Sequence, residues 1–242
     1  MSLVLQHMVT CMHMFRIRGT QTPSPYKTDR IAFLDPLFVS MWAFEFPKME
    51  ASNQWVFGEG YFETYVGRLP KYGMTNKVWV DDVDTLLFPY NLDNNHWVAI
   101  EADLVQRRLR VYDSINSGRT DESLQKKCKP FAKMIPRLIQ AYNRRYKDEH
   151  IGAAAFSYYR VKTLPQNYQQ GDCGVYTLKC LECIALGVNY TGLCDAAMPS
   201  IRMKLAADVF DEVPDRDCFL QLDATSETVD YPEAEFNSGS KS

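Results

Sequence analysis

His96-Trp97-Val98-Ala99-Ile100-Glu101-Ala102 and, after a short polar link, Arg107-Arg108-Leu109-Arg110-Val111-Tyr112-Asp113 are the two runs on which the fold turns. The first is rich in β-branched and aromatic residues and the second alternates strictly, so both read as strands. An antiparallel hairpin about Leu104-Val105 sets position 98 opposite 111, 100 opposite 109 and 96 opposite 113. Val98, Ile100, Leu109 and Val111 then share one core-facing side, and a one-residue slip would turn all four outward. Directly opposed residues have Cβ atoms roughly 5 Å apart. This register therefore makes neighbours of an imidazole, His96, and a carboxylate, Asp113.

The complement to that pair lies downstream in Gln169-Gln170-Gly171-Asp172-Cys173-Gly174-Val175-Tyr176. Cys173 stands just ahead of a helical pattern. A thiol at a helix N-terminus meets the positive end of the dipole and free backbone N–H groups, which stabilise the thiolate. The same N–H groups can hold an oxyanion. Cys173 as nucleophile, His96 as the base that takes its proton and Asp113 as the group that orients His96 satisfy the logic of a triad. Asp172 reads as the cap of the following helix rather than as a chemical group.

Along the rest of the chain, residues 3–16 carry apolar residues at helical spacing, and Ile31 to Trp42 reads as a helix with Pro36 near its start. Residues 47–76 stay ambiguous, broken by Gly58, Gly60, Gly67, Pro70 and Gly73. Strands are expected at about 77–80 and 84–89, ahead of the hairpin, and at Ser157 to Lys162. Asp121 to Arg145 is an amphipathic helix with acids at its start and bases at its end, to be kinked or split by Pro130 and Pro136. The helix after Cys173 stops at Gly187, and a last helix spans about 196–211. From 213 on, acids, Ser, Pro and Gly replace the apolar pattern, which describes a disordered acidic tail.

With 242 residues, 46% of them hydrophobic, and a formal net charge of −3, the chain can bury one sizeable core or two small ones. The near-neutral charge argues against nucleic acid as a main ligand. No stretch approaches the roughly 18 apolar residues of a membrane span, and the N-terminus lacks the basic region and cleavage site of a signal peptide. Seven unevenly spaced cysteines fit a reducing compartment. Structural zinc ligands come in paired clusters on tight turns. Cys180 and Cys183 instead fall inside a helix, and no histidine follows Cys194. No metal or other cofactor is expected. The bases between Lys126 and Lys147 read as a solvated helix face.

In chain order, His96-Trp97, then Val111-Tyr112-Asp113-Ser114, then Gly171-Asp172-Cys173-Gly174-Val175-Tyr176 resemble the motifs of the Ulp1/SENP-type cysteine proteases that process SUMO and related ubiquitin-like proteins. Trp79-Val80-Asp81-Asp82-Val83-Asp84 resembles the strand before the histidine motif in plant members, and Leu178-Lys179-Cys180-Leu181-Glu182 the helix after the cysteine. The resemblance implies an α/β (α+β) papain-like core over residues 1–212, with a mixed, largely antiparallel central sheet flanked by helices; the acidic tail read from composition then occupies 213–242. It implies cleavage after the C-terminal Gly-Gly of SUMO or a relative, with His96 as base, Asp113 as orienter and Cys173 as nucleophile. Trp97 would form part of the narrow tunnel that admits the Gly-Gly tail. The implied partners are SUMO or another ubiquitin-like protein and its conjugates, met by a monomer in the nucleus or the cytoplasm, with no nucleic acid and no membrane.

Two departures from the family pattern stand out. The family's glutamine donor to the oxyanion sits six residues before the cysteine, a position held here by Asn167. Gln166 precedes it and matches plant relatives with a Gln-Asn pair, so Gln166 is the first choice and Asn167 the alternative. The Trp-Leu segment that forms the other tunnel wall ahead of the first helix also has no match, since Trp42 and Trp55 lie too close to His96. These departures leave a second reading open: a weak or inactive relative that binds a ubiquitin-like protein without cutting it.

Overall fold

The computed structural model describes residues 3–52, 54–143, 154–169 and 171–213. One sheet runs through the molecule, with strands β1 (Ile31–Phe33), β2 (Thr85–Leu92), β3 (His96–Asp103), β4 (Arg108–Tyr112) and β5 (Ser157–Val161) in that spatial order. Its two middle seams are antiparallel and its two outer seams parallel. The sheet is therefore mixed, as expected, with parallel and antiparallel seams in equal number. A parallel seam needs a crossover. Helices α2 (Pro36–Ala51) and α3 (Glu59–Tyr65) supply it between β1 and β2, and α4 (Asp121–Tyr142) supplies it between β4 and β5.

Side-chain alternation along β3 feeds two cores. Val98, Ile100 and Ala102 join Leu86, Phe88, Leu109 and Val111 against α2, α3 and α4. Trp97 and Ala99 join Leu87 and Tyr112 against α1 (Leu3–Thr20), α5 (Cys173–Leu186) and α6 (Met198–Glu212). A strand buried on both faces reads as a nearly continuous apolar run, which is what the first half of the hairpin is.

The hairpin register differs from the sequence expectation by two residues. Ala99 pairs with Tyr112, Ile100 with Val111 and Glu101 with Arg110. The turn uses Leu104 to Arg107, with Arg107 in the left-handed region at φ 53°, and so is longer than a turn about Leu104-Val105. An even shift preserves which side chains face which core. It moves Asp113 from directly opposite His96 to diagonally across from it, still within reach of an imidazole.

Other elements also depart from expectation. Residues 31–42 are not one helix, because Ile31–Phe33 pairs with Thr85–Leu87. The helix starts at Pro36, where the Asp35 carboxylate accepts from the Leu37 N–H at 2.8 Å. The strand expected at 77–80 reduces to a bridge between Trp79 and Val83. Neither Pro130 nor Pro136 splits α4. Proline at 136 leaves the Ala132 carbonyl without its helical donor, and that oxygen accepts from the Phe156 N–H at 2.8 Å, just ahead of β5. The interrupted helical ladder is thus where the last strand is moored. The expected end of this helix at 144–145 and nearly all of the acidic tail, from 214, lie outside the described residues.

On the other face Arg18 fastens three helices. From α1 it donates to Glu182 of α5 at 2.6 Å and to Glu212 and Asp208 of α6 at 2.6 and 3.1 Å. The C-terminus of α5 closes at Gly187, φ 72°, with Val188 N–H on the Cys183 carbonyl at 3.0 Å. A Cβ at 187 would lie 3.1 Å from the Lys27 Cβ. Lys27 cannot retreat, because its own N–H is bonded to the Ala185 carbonyl at 2.9 Å. Gly187→Ala is therefore expected to lower the unfolding free energy by about 1–2 kcal/mol, read as a fall in urea midpoint with an unchanged slope.

Candidate active site

The beginnings of β3 and α5 and the end of β4 converge at one end of the sheet's inner strands. His96 is 8% exposed, and its Nε2 lies 2.7 Å from Asp113 Oδ1. That bond leaves Nδ1 for the Cys173 thiol, which is hydrogen-bonded to the His96 side chain. The Trp97 and Gly174 backbone N–H groups also point at the sulfur. The three residues singled out as nucleophile, base and orienter are thus brought together in the order Cys173, His96, Asp113.

Their titration follows from these contacts. Burial opposes a charge on His96, but the hydrogen bonds to Asp113 and Cys173 outweigh it and raise the imidazole to about 9. Burial likewise opposes the Cys173 thiolate. The bond to His96 and the Trp97 N–H overcome it, so the thiol titrates below its ordinary value. Asp113 is fully buried, yet its pairing with His96, the Ile115 N–H and Arg160 keeps it below the usual carboxylate range. The arrangement favours a thiolate–imidazolium pair over two neutral groups.

Asp113 uses both oxygens. Oδ1 also accepts from the Ile115 N–H at 2.9 Å, and Oδ2 accepts from Arg160 Nη2 at 2.8 Å. Arg160 lies on β5 and carries only a weak sequence signal. The available signal was a lone cation in the half of the strand Ser157–Val161 that turns inward.

The segment before Cys173 is braced rather than loose. Asn167 N–H donates to the Ser114 carbonyl at 2.7 Å, tying it to the residue after Asp113. Asp195 accepts from the Tyr168 N–H at 3.0 Å and from the Tyr176 hydroxyl at 2.7 Å, joining the segment to α5. The Gln166 amide is engaged at both ends, accepting from the Asn116 N–H and donating to the Leu164 carbonyl at 2.9 and 3.0 Å. Asn167 is 5% exposed and accepts at Oδ1 from the Gln169 N–H, while its buried Nδ2 has no partner among the described residues. Tyr168, beside it, is 87% exposed.

One neighbour differs from the sequence reading. Asp172 makes no side-chain cap on α5; its carboxylate accepts from Arg202 Nε of α6 at 3.1 Å. The Trp97 indole, assigned to the tunnel by resemblance, is 6% exposed and packs in the core that holds Met8 and Val175. Cys180 is buried within α5, and no group of three potential metal ligands occurs among the described residues. No described helix is long and apolar enough to cross a membrane.

These contacts fix how the thiol should respond to pH. Cys173 is expected to be alkylated by iodoacetamide at pH values well below the roughly 8.5 of a free cysteine. Loss of the imidazolium near pH 9 should leave only the ordinary thiolate reactivity. His96→Ala should move the rise of the alkylation rate toward the free-cysteine range, as read by mass spectrometry across pH 5–10.

A family model described as the Ulp1 protease family, C-terminal catalytic domain, matches residues 4–216. Among solved structures, the yeast Ulp1 protease domain in complex with Smt3, the yeast ortholog of SUMO, superposes with a TM-score of 0.54 at 16% identity, over 84% of this chain and 75% of that one. The Ulp1-like SUMO protease catalytic domain of Chaetomium thermophilum gives 0.51 at 20% identity, over 88% and 73%. The Xanthomonas campestris effector XopD bound to ubiquitin gives 0.50 at 16%, over 85% and 90%. No curated protein matches the chain.

Proposed function

The chain belongs to the Ulp1 protease family of cysteine proteases, and we propose that it cleaves after the C-terminal Gly-Gly of SUMO or a related ubiquitin-like protein, as a peptidase or isopeptidase. The observation that carries this reading is the hydrogen-bonded chain from Cys173 through His96 to Asp113. The Cys173 thiolate attacks the glycyl carbonyl, and the carbonyl electrons move onto oxygen. His96 gives its proton to the departing amine, and a thioester remains. His96 then takes a proton from water, whose oxygen displaces the thiolate and leaves a free glycyl carboxylate. Throughout, Asp113 holds the imidazole in place. A SUMO ortholog and ubiquitin in complexes with similar folds support the partner class. Nuclear residence belongs to the same proposal and is tested by imaging the tagged chain.

Asn167 takes the role of side-chain oxyanion donor in this proposal, because its Nδ2 is the amide donor left over while that of Gln166 is bonded within its own loop. Removing one such donor costs about 10²–10³ in kcat. Asn167→Ala is expected to lose kcat on that scale with KM little changed, and Gln166→Ala much less; the reverse order would move the role to Gln166.

The function is tested by incubating wild type and Cys173→Ser with SUMO precursors and a panel of ubiquitin-like substrates, and with electrophilic probes built on their C-termini. Cleavage and probe labelling of wild type alone are expected. A wild type as inert as Cys173→Ser on every member would sink the protease reading. Asn167 at the place of the family's glutamine favours a second reading, a partner-binding relative, and binding without turnover or labelling would select it.

A further inference from the structure

We propose that Arg160 is a positioning residue of this site: bound to the Asp113 oxygen that His96 does not use, it locks the carboxylate in the rotamer that meets the imidazole and takes up part of its negative charge. The proposal rests on the reading of Asp113 as the group that orients His96.

The geometry is specific. Arg160 is 6% exposed, and its Nη2 donates to Asp113 Oδ2 at 2.8 Å. Its Nη1 is anchored on the far side by the Arg119 carbonyl and Asp121 Oδ1, both at 2.9 Å. The guanidinium is thus held from the α4 side and pointed at the carboxylate. Rotation of Asp113 about its Cα–Cβ and Cβ–Cγ bonds would break bonds to three separate groups at once.

The chemistry explains why such a cation belongs there. A buried carboxylate must be paired. In the proposed cycle His96 is charged before it protonates the leaving amine and neutral afterwards. With His96 as its sole charged partner, Asp113 would lose its counter-charge in every turnover. A guanidinium does not titrate in this range, so Arg160 keeps Asp113 an anion in both halves of the cycle. The same cation opposes charge on His96, at one carboxylate's remove.

The other groups around the imidazole do not share this role. Cys173 faces it directly from α5 and favours its charged form. Asp121 balances the outer side of Arg160 and is itself paired with Lys162 at the surface. Cys128 of α4 and Tyr158 of β5 lie near Asp113, and burial pushes both above their ordinary values, so they stay neutral.

The test is an NMR titration of His96 in a Cys173→Ser background, which needs no turnover. Arg160→Gln is expected to raise the His96 pKa by about half a unit to one unit, because a cation is removed. Asp113→Asn should lower it, because an anion is removed. Arg160→Lys keeps the charge and should leave the titration within ~0.2 units of the parent. In the Cys173 enzyme, Arg160→Gln should cut kcat about tenfold or more with KM little changed, and Arg160→Lys should cut it less. A His96 titration that stays put or falls in Arg160→Gln overturns the proposal. If that variant does not fold, a shift in Arg160→Lys as large as that of Asp113→Asn overturns it instead. Because the titration is independent of cleavage, a chain that cuts nothing still tests Arg160, and a cutting enzyme with an unmoved His96 rejects this proposal alone.

Discussion

A carboxylate with no access to solvent has to find its hydrogen bonds inside the protein, and Asp113 does so from three directions. An imidazole reaches it from β3, a backbone N–H from the turn after β4, and a guanidinium from β5. Each donor belongs to a different segment, so the carboxylate fixes how those segments meet. The parallel seam between β4 and β5 and the start of α4, which holds the far side of Arg160, are arranged around it. The nucleophile comes last in this hierarchy. Its helix is laid against β3 from the opposite face, and its thiol meets an imidazole already oriented.

How much of this could be read from the chain depended on the range of the signal. The hairpin was legible because alternation specifies a face, and parity survives a two-residue error; the exact register depended on a turn with a left-handed Arg107 that composition does not announce. Ile31–Phe33 was hidden because three residues are too short for any period, and their strand state comes from pairing with Thr85–Leu87. Asp172 follows local capping preference until Arg202, thirty residues on, competes for it. Gln166 and Asn167 are indistinguishable as amides in sequence and separate only when their partners can be counted. Arg160 gave the weakest signal and makes one of the closest contacts, since its partner lies on another strand.

Side chains well away from the reacting atoms brace the site. Asp195 holds the segment before Cys173 and the body of α5 with one carboxylate. Arg18 does the same for α1, α5 and α6. Half-buried charges of this kind add little net stability. Their effect is on placement: the N-terminus of α5, with its thiol, is held by its neighbours along the helix and at both ends.

The mooring of Phe156 on the Ala132 carbonyl separates the position of β5 from the length of chain that leads to it. The strand is caught at a fixed point on the helix before it pairs with β4. Loop-closure entropy grows slowly, by about 0.6 kcal/mol for each doubling of length. Insertions between α4 and β5 can therefore accumulate in related chains without moving Arg160 or Asp113. A proline that interrupts one helix thus lets this connection diverge while the paired Arg160 and Asp113 beneath it stay in register.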